Sequence, residues 1–522
     1  MRDPSPLWHS HILAHLCLAA CLVLLALPVL MVTYPPIFDF PNHMARAHVI
    51  ANLDTSPVFR AHFHPTSVLI PNVLADLVVL ALIPAMGVMA AGKALLLITF
   101  GLTLTGAYAL NRTLTGSFSP WPLLAGTVLY NEGFFWGFLN YNLGLGLMLW
   151  GLAAWVALKR KPIGLRLACG TAFAAAVFLA HLVAFGLYGA ALAVMEIRRL
   201  WLRQAGWKDA VVAAAQFLPP IVVFLVLSPS GQLGFYALFD FSVWGKIMPF
   251  ARVLSSNNPI LDFATVAAIG TTVLVALLGG LAYCHPASAL VAATFLGLVL
   301  TLPFSMMGSY FLDSRIIVAV LLAFLAGLAP RRGQPAVWSA VLVLAIIGGR
   351  TQGLLDDWRL QDLDYQDVVA TLAQVPEGSV IVTAVGHPFE LGDWVATRRV
   401  KPSHEHTTLY ATIRRSVLVP NIFARAGQNP LVFDSALEEL NRTARNPVAR
   451  VFHPGDARWM VDQALPLADL RDSIAPPIPA VFVIGYHVPC HWWPTDMPIR
   501  VKACTTSYSL VEIIGGVKEP IP

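Results

Sequence analysis

Charged side chains are scarce in this sequence: Asp, Glu, Lys and Arg make up 12% of its 522 residues, while 57% are hydrophobic. So little polar surface cannot cover the core that these apolar side chains would build, which excludes a soluble globular protein and points to a polytopic membrane protein. Also missing are a glycine-rich phosphate loop between a strand and a helix, a clear zinc-ligand spacing and a credible Ser/His/Asp motif. Nucleotide-sugar chemistry on the cytoplasmic face is thereby disfavoured. The net charge of +5 is small for this length and lies largely in loops, so it speaks for membrane topology and gives no support for a nucleic-acid partner.

Cysteine is sparse as well. Cys17, Cys21, Cys169 and Cys284 lie in or beside apolar segments, where a small packing role suits them. Cys490 and Cys504 are the one pair in the polar C-terminal region; an extracytoplasmic compartment would permit a disulfide around His491-Trp492-Trp493-Pro494, and bonded and free forms stay equally open.

What the sequence does have is apolar runs long enough to cross about 30 Å of hydrocarbon as helices, which satisfy their own backbone hydrogen bonds. The first, His11 to Val32, is too long for a signal-peptide core and lacks a small-residue cleavage site before Tyr34-Pro35-Pro36, so it reads as a retained span. Further runs cover 68–85, 92–110, 121–138, 141–158, 167–197, 209–228, 261–283, 287–305, 314–329 and 335–349. Short basic loops, Lys159-Arg160-Lys161 with Arg166, Arg198-Arg199 with Arg203 and Lys208, and Arg331-Arg332, favour the cytoplasmic side. With the N-terminus inside, loops 34–67 and 229–260 fall outside, and about eleven transmembrane helices place the C-terminus outside too.

One region admits two arrangements. Either 167–197 is a hairpin of two short helices turning near His181, and the aromatic stretch 121–138 with Asn131-Glu132-Gly133 is re-entrant or a pair of half-spans. Or 167–197 is one long helix and 121–138 a complete span, which violates the charge rule at 159–161.

After Arg350 the composition becomes that of a soluble domain, which divides the chain into a membrane domain, 1–350, with its outer loop at 34–67, and an extracytoplasmic α/β or α+β domain, 351–522. Residues 364–374 have helical periodicity, Pro376-Glu377-Gly378 is a turn, and 380–382 and 480–484 read as short buried strands. His404-Glu405-His406 offers three potential ligands, yet neighbours on an extended segment point to opposite faces and no further partner has metal spacing. A surface or acceptor-contact loop is the favoured reading there.

The loop 34–67 concentrates Asp39, His43, Arg46, His48, Asp54, Arg60, His62 and His64 among apolar residues spaced for short helices on the membrane surface. A helix over 42–52 would set His43 and Arg46 on one face, with Asp39 ahead of its positive N-terminal end. From these residues alone two readings stay open: Asp39 as an N-cap-like carboxylate with the basic residues among lipid headgroups, or a chemical site just outside the membrane.

The segment Asp39-Phe40-Pro41-Asn42-His43-Met44-Ala45-Arg46 follows a first membrane helix and opens a long outer loop; some ten further helices and a C-terminal extracytoplasmic domain come after it. This outline resembles the C superfamily of glycosyltransferases, the GT-C fold, which includes protein O-mannosyltransferases, oligosaccharyltransferases and the bacterial transferases that put aminoarabinose on lipid A. The aromatic stretch 131–141, the Ala180-His181 turn and Tyr310-Phe311-Leu312-Asp313-Ser314-Arg315 fit it less specifically. The resemblance implies an enzyme of the bacterial cytoplasmic (inner) membrane that takes a sugar, hexose or pentose, from a polyprenyl-phosphate donor to a hydroxyl of a lipid, glycan or protein. It implies Asp39 as general base in an inverting displacement, since no second carboxylate is obviously paired with it. No cofactor beyond the donor is required, and Phe40, standing where some members carry a second acid, disfavours a divalent metal. The departing phosphate needs cations, for which Arg46, Lys246, Arg252, Arg315 and Arg350 are the candidates; Asn42, His43, His181 and Asp313 join them as substrate-binding residues. A transporter of a lipid-linked or small polar substrate, or a non-catalytic envelope assembly protein, has the same outline. The lack of an inverted hydropathy repeat and the gathering of polar groups at the outer interface favour the transferase.

Overall fold

The computed structural model describes residues 5–66, 71–227, 237–256, 258–306, 311–331, 336–386, 404–425, 427–433, 449–451, 453–470 and 476–515. They form two compact units, one of residues 1–31, 68–78 and 93–357, the other of 32–67, 79–92 and 358–522. The division falls at 357/358, and the loop 34–67, placed by sequence position in the membrane domain, clusters with the second unit.

Among the described residues six helices are long and apolar enough to cross a membrane: His11–Met31, Leu74–Thr115, Ile163–Ala180, Trp207–Val226, Pro259–Leu278 and Ala336–Leu372. Helices Leu139–Ala157, Leu182–Trp201, Pro286–Thr301 and Leu312–Ala326 add further apolar rods; the first two pack on each other and on Ile163–Ala180, and Pro286–Thr301 packs on Leu182–Trp201 and Leu312–Ala326. The expected runs 68–85 and 92–110 are parts of one element, Leu74–Thr115, whose 42 residues are interrupted at Gly87 with φ +74°. Only glycine takes that conformation without strain, and a straight helix of this length would measure about 60 Å, twice the hydrocarbon thickness, so the bend divides it into two arms.

The ambiguous region resolves as the hairpin. Helices Ile163–Ala180 and Leu182–Trp201 are separated by His181, extended at φ −166° and ψ 128°. Stretch 121–138 is no span: it is a 3-10 helix, Trp121–Val128, then the short helix Glu132–Trp136, started by the Asn131 side chain accepting from the Phe134 amide at 2.9 Å and ended by Gly137 at φ +87°. Local capping chemistry overrides apolar composition here, so the single-long-helix alternative is excluded.

The second unit is built on a five-stranded mixed sheet ordered Ile499–Cys504, Tyr508–Ile513, Val481–Tyr486, Val380–Gly386, Ala449–Val451. Val380–Gly386 pairs parallel with both its neighbours, while the first three strands are antiparallel. Both central strands are buried along their whole length, which is why they are continuous apolar runs. Ala45, Val49, Phe59 and Phe63 of the 34–67 loop enter the same core as Val380, Ile381 and Val483, and Phe63–Pro65 pairs antiparallel with Leu431–Phe433. The loop thus belongs to the sheet unit by packing.

A disulfide joins Cys490 to Cys504, with Cα atoms 6.1 Å apart and a sequence separation of 14. Closing a loop of that length stabilises a fold by about 3 kcal/mol. Replacing both cysteines by serine is expected to lower the melting temperature of the full-length protein in nanodiscs by about 5–10 °C; an unchanged melting curve in the double variant would refute the contribution.

Candidate active site

The helix Phe40–Ala51 starts at Asp39, with Pro41 in its first turn, where a missing amide hydrogen costs nothing. Its inner face buries Phe40, Met44, Ala45 and Val49. Gly92 lies so close that a Cβ there would meet the Met44 sulfur and the Phe40 ring and make those side chains shift. The entry to the loop is held by Asp362, whose two carboxylate oxygens accept from the Thr33 and Tyr34 amides at 2.8 and 2.7 Å. Arg414 donates to the Tyr34 hydroxyl at 2.9 Å.

Asp39 occupies the N-cap position but its side chain makes no capping bond. Oδ1 instead lies 3.3 Å from Nε2 of His406, with both side chains largely shielded. The surface-loop reading of His404-Glu405-His406 is therefore corrected: all three are buried, in a 3-10 helix, His404–Leu409, that packs on the Phe40–Ala51 helix. Burial pushes the His406 pKa down to about 3, so the ring that faces Asp39 at 3.3 Å is neutral and the contact is not an ion pair. Phe38 and Phe423 enclose it, with ring centroids at 4.8 and 5.5 Å.

Asn42 is fully buried and completes this arrangement: Oδ1 accepts from the Phe423 amide at 2.7 Å, while Nδ2 donates to the Asn421 carbonyl at 2.9 Å and faces His406 Nδ1 at 2.8 Å. Arg46, one turn on, donates to His43 Nδ1 at 3.0 Å and lies 5.8 Å from the Phe423 ring centroid. Asp39, Asn42, His43 and Arg46 thus gather around Phe423 and His406. Sequence reasoning missed His406, Asn421 and Phe423 as parts of this group; the only signal was the polar His404-Glu405-His406 cluster.

The remaining candidates lie in the membrane unit. Arg315, 8% exposed, approaches His181 Nε2 at 2.9 Å, and its guanidinium sits 3.7 Å from the Phe138 ring centroid. His181 Nδ1 accepts from the Val183 amide at 3.1 Å and so caps the helix Leu182–Trp201. The Tyr141 hydroxyl donates to the Arg315 carbonyl at 2.6 Å. Asp313 is buried two residues earlier, behind Phe311, which adopts φ +60° and stacks on Trp136 at 5.4 Å; Tyr310 lies outside the described residues.

Lys246 and Arg252 share the helix Val243–Arg252, which packs on Leu312–Ala326. Lys246 donates to the Val299 and Leu302 carbonyls, both at 3.0 Å, at the C-terminal end of Pro286–Thr301. Arg252 interacts electrostatically with Glu132, a buried acid that also hydrogen-bonds Ser314 and Trp136 and that the sequence reading did not single out as a site residue. Arg350 is committed to structure: it donates to the Tyr130 and Leu254 carbonyls at 2.8 and 2.9 Å and to Asp262 at 3.2 Å. Among the described residues no three His, Cys, Asp or Glu side chains come together in a metal-binding group.

No protein-family model and no curated protein matches the chain. Among the solved structures that share its fold are two of ArnT from Cupriavidus metallidurans, one bound to undecaprenyl phosphate and one in the apo state. Each is 13% identical to this chain, covers 96% of it and matches over 98% of its own length, with TM-scores of 0.53 and 0.52. The chain therefore has the GT-C fold that its sequence resembles.

Proposed function

We propose that this protein is an inverting glycosyltransferase that moves a sugar from a polyprenyl phosphate to a hydroxyl acceptor at the outer face of the cytoplasmic membrane, with Asp39 as general base. The observation that carries the reading is the state of Asp39: a largely shielded carboxylate at a helix N-terminus that makes no capping bond and faces a neutral imidazole at 3.3 Å. A cap would bond the helix amides. The fold is shared with a protein bound to undecaprenyl phosphate, which supports a lipid-linked donor.

In the reaction, the acceptor oxygen attacks the anomeric carbon as its proton passes to the Asp39 carboxylate. The bond from that carbon to the phosphate oxygen breaks, its electron pair leaves with the phosphate, and the anomeric configuration inverts. By the GT-C resemblance, Arg315 is the candidate to supply positive charge to the departing phosphate. The exposed Val243, Trp244, Ile247 and Phe250 of the Val243–Arg252 helix suit an isoprenoid or acyl surface. The basic loops at 159–161 and 198–208 support a cytoplasmic N-terminus and an extracytoplasmic sheet unit.

The protein reconstituted in nanodiscs with a polyprenyl-phosphate sugar and lipid, glycan or protein acceptors from a bacterial envelope is expected to release polyprenyl phosphate in step with glycosylated product. Donor that stays intact with every acceptor fraction would sink the reading. Arg315→Ala is expected to lower kcat/KM for the donor by about 10–100-fold, the worth of one charge-assisted hydrogen bond, while acceptor KM stays constant. Unchanged donor kinetics would return Arg315 to a structural role.

A further inference from the structure

Asn42 and His406 form a chain of hydrogen bonds whose direction is fixed at one end by the backbone. The Phe423 amide can only donate, so the Asn42 oxygen must face it at 2.7 Å. The Asn42 nitrogen is then the atom facing His406, 2.8 Å from Nδ1, and its second hydrogen goes to the Asn421 carbonyl at 2.9 Å. Nδ1 therefore accepts, and in a neutral ring the proton sits on Nε2, the atom that faces Asp39 Oδ1 at 3.3 Å. Asn421 is itself tied down, donating from its side chain to the Glu405 carbonyl at 3.0 Å.

We infer that Asn42 and His406 are positioning residues for Asp39: the Phe423 amide orients Asn42, Asn42 sets His406 as the Nε2–H tautomer, and His406 orients the carboxylate as base without neutralising it. This rests on the role proposed for Asp39. A cationic partner in the same place would stabilise the carboxylate far more strongly and make it a poorer base, whereas a neutral donor fixes its orientation and leaves its negative charge available to the incoming proton. Burial of the ring between Phe38 and Phe423 serves this end by keeping it uncharged. The other ionisable groups on the elements around the pair are His43, Arg46 and His48 on the Phe40–Ala51 helix, His404 and Glu405 on the 3-10 helix, and Tyr410, Arg414 and Arg415 on the helix Tyr410–Arg415 packed against both; the stretch Asn421-Ile422-Phe423 contributes none.

Four variants of the full-length protein in nanodiscs test this: His406→Phe, which keeps an aromatic ring between Phe38 and Phe423 without the donor; His406→Gln, whose amide can donate to Asp39; Asn42→Asp, which puts an acceptor against Nδ1; and His406→Phe combined with Asp39→Asn. His406→Phe is expected to lower kcat by about 10-fold with donor KM unchanged, and to move the acidic limb of the kcat–pH profile up by about one pH unit, because the carboxylate has lost a donor to its charged form. His406→Gln should recover most of that loss. Asn42→Asp should lower kcat by about 10-fold with the ring still in place, since the new carboxylate draws the proton to Nδ1 or charges the ring. The combined variant should be no slower than Asp39→Asn alone. Wild-type kcat and pH limb in His406→Phe, or, if that protein does not fold, wild-type kcat in Asn42→Asp, overturn the inference while Asp39→Asn remains inactive. An active Asp39→Asn protein overturns the base role itself.

Discussion

Asp39→Asn is expected to lower the transfer rate by at least about 100-fold, the lower end of what a positioned general base contributes, with insertion and thermal stability unchanged. The substitution keeps shape and removes only basicity. An amide oxygen at the same place still accepts from His406 Nε2, so the contact now 3.3 Å long survives. The change also separates the two readings that the sequence left open. Asparagine caps a helix as well as aspartate does, so a capping role predicts no loss of any kind. Transfer kinetics and a melting curve on one preparation decide it: a rate within a few-fold of wild type would remove Asp39 from the chemistry.

Arg350→Ala carries the largest expected effect on stability. The guanidinium is 2% exposed and joins four segments of the membrane unit through the Tyr130 and Leu254 carbonyls, Asp262 and the Thr265 hydroxyl. Removing it strands two backbone carbonyls and leaves Asp262 without its cation, a loss of about 3–5 kcal/mol for breaking a buried pair from one side. The expected result is a sharply lower melting temperature, with donor KM unaltered in whatever protein remains folded. A phosphate-binding arginine would give the reverse, a stable protein with weakened donor use, and that outcome would restore Arg350 to the site.

Much of the fold was legible because its causes are local. The apolar runs announce membrane helices through composition alone, and the break at His181 was one of two arrangements left open, the one that keeps the basic loops on one side. The strands around 380–382 and 480–484 stood out as short apolar runs bounded by turns. The helix count was harder to read, since apolar composition does not distinguish a crossing from the short helical pieces between Trp121 and Trp136, and a glycine bend lets one element of 42 residues stand where two were expected. The candidate site was half legible. Asp39, Asn42, His43 and Arg46 are neighbours on one helix start, so spacing brought them together. His406 is separated from Asn42 by 364 positions, and no pattern along the chain joins them.

By itself, the sequence determined that this chain lives in a membrane, carries a polar sheet domain after its last long apolar run, and places an acid at the head of a short helix beyond its first span, because hydrophobicity and helix periodicity are properties of contiguous residues. Tertiary structure decided what that acid is. Only folding buries His406 between two aromatic rings, holds it neutral and turns its Nε2 toward Asp39, since desolvation and tautomer choice depend on which groups surround a side chain and not on which residues precede it.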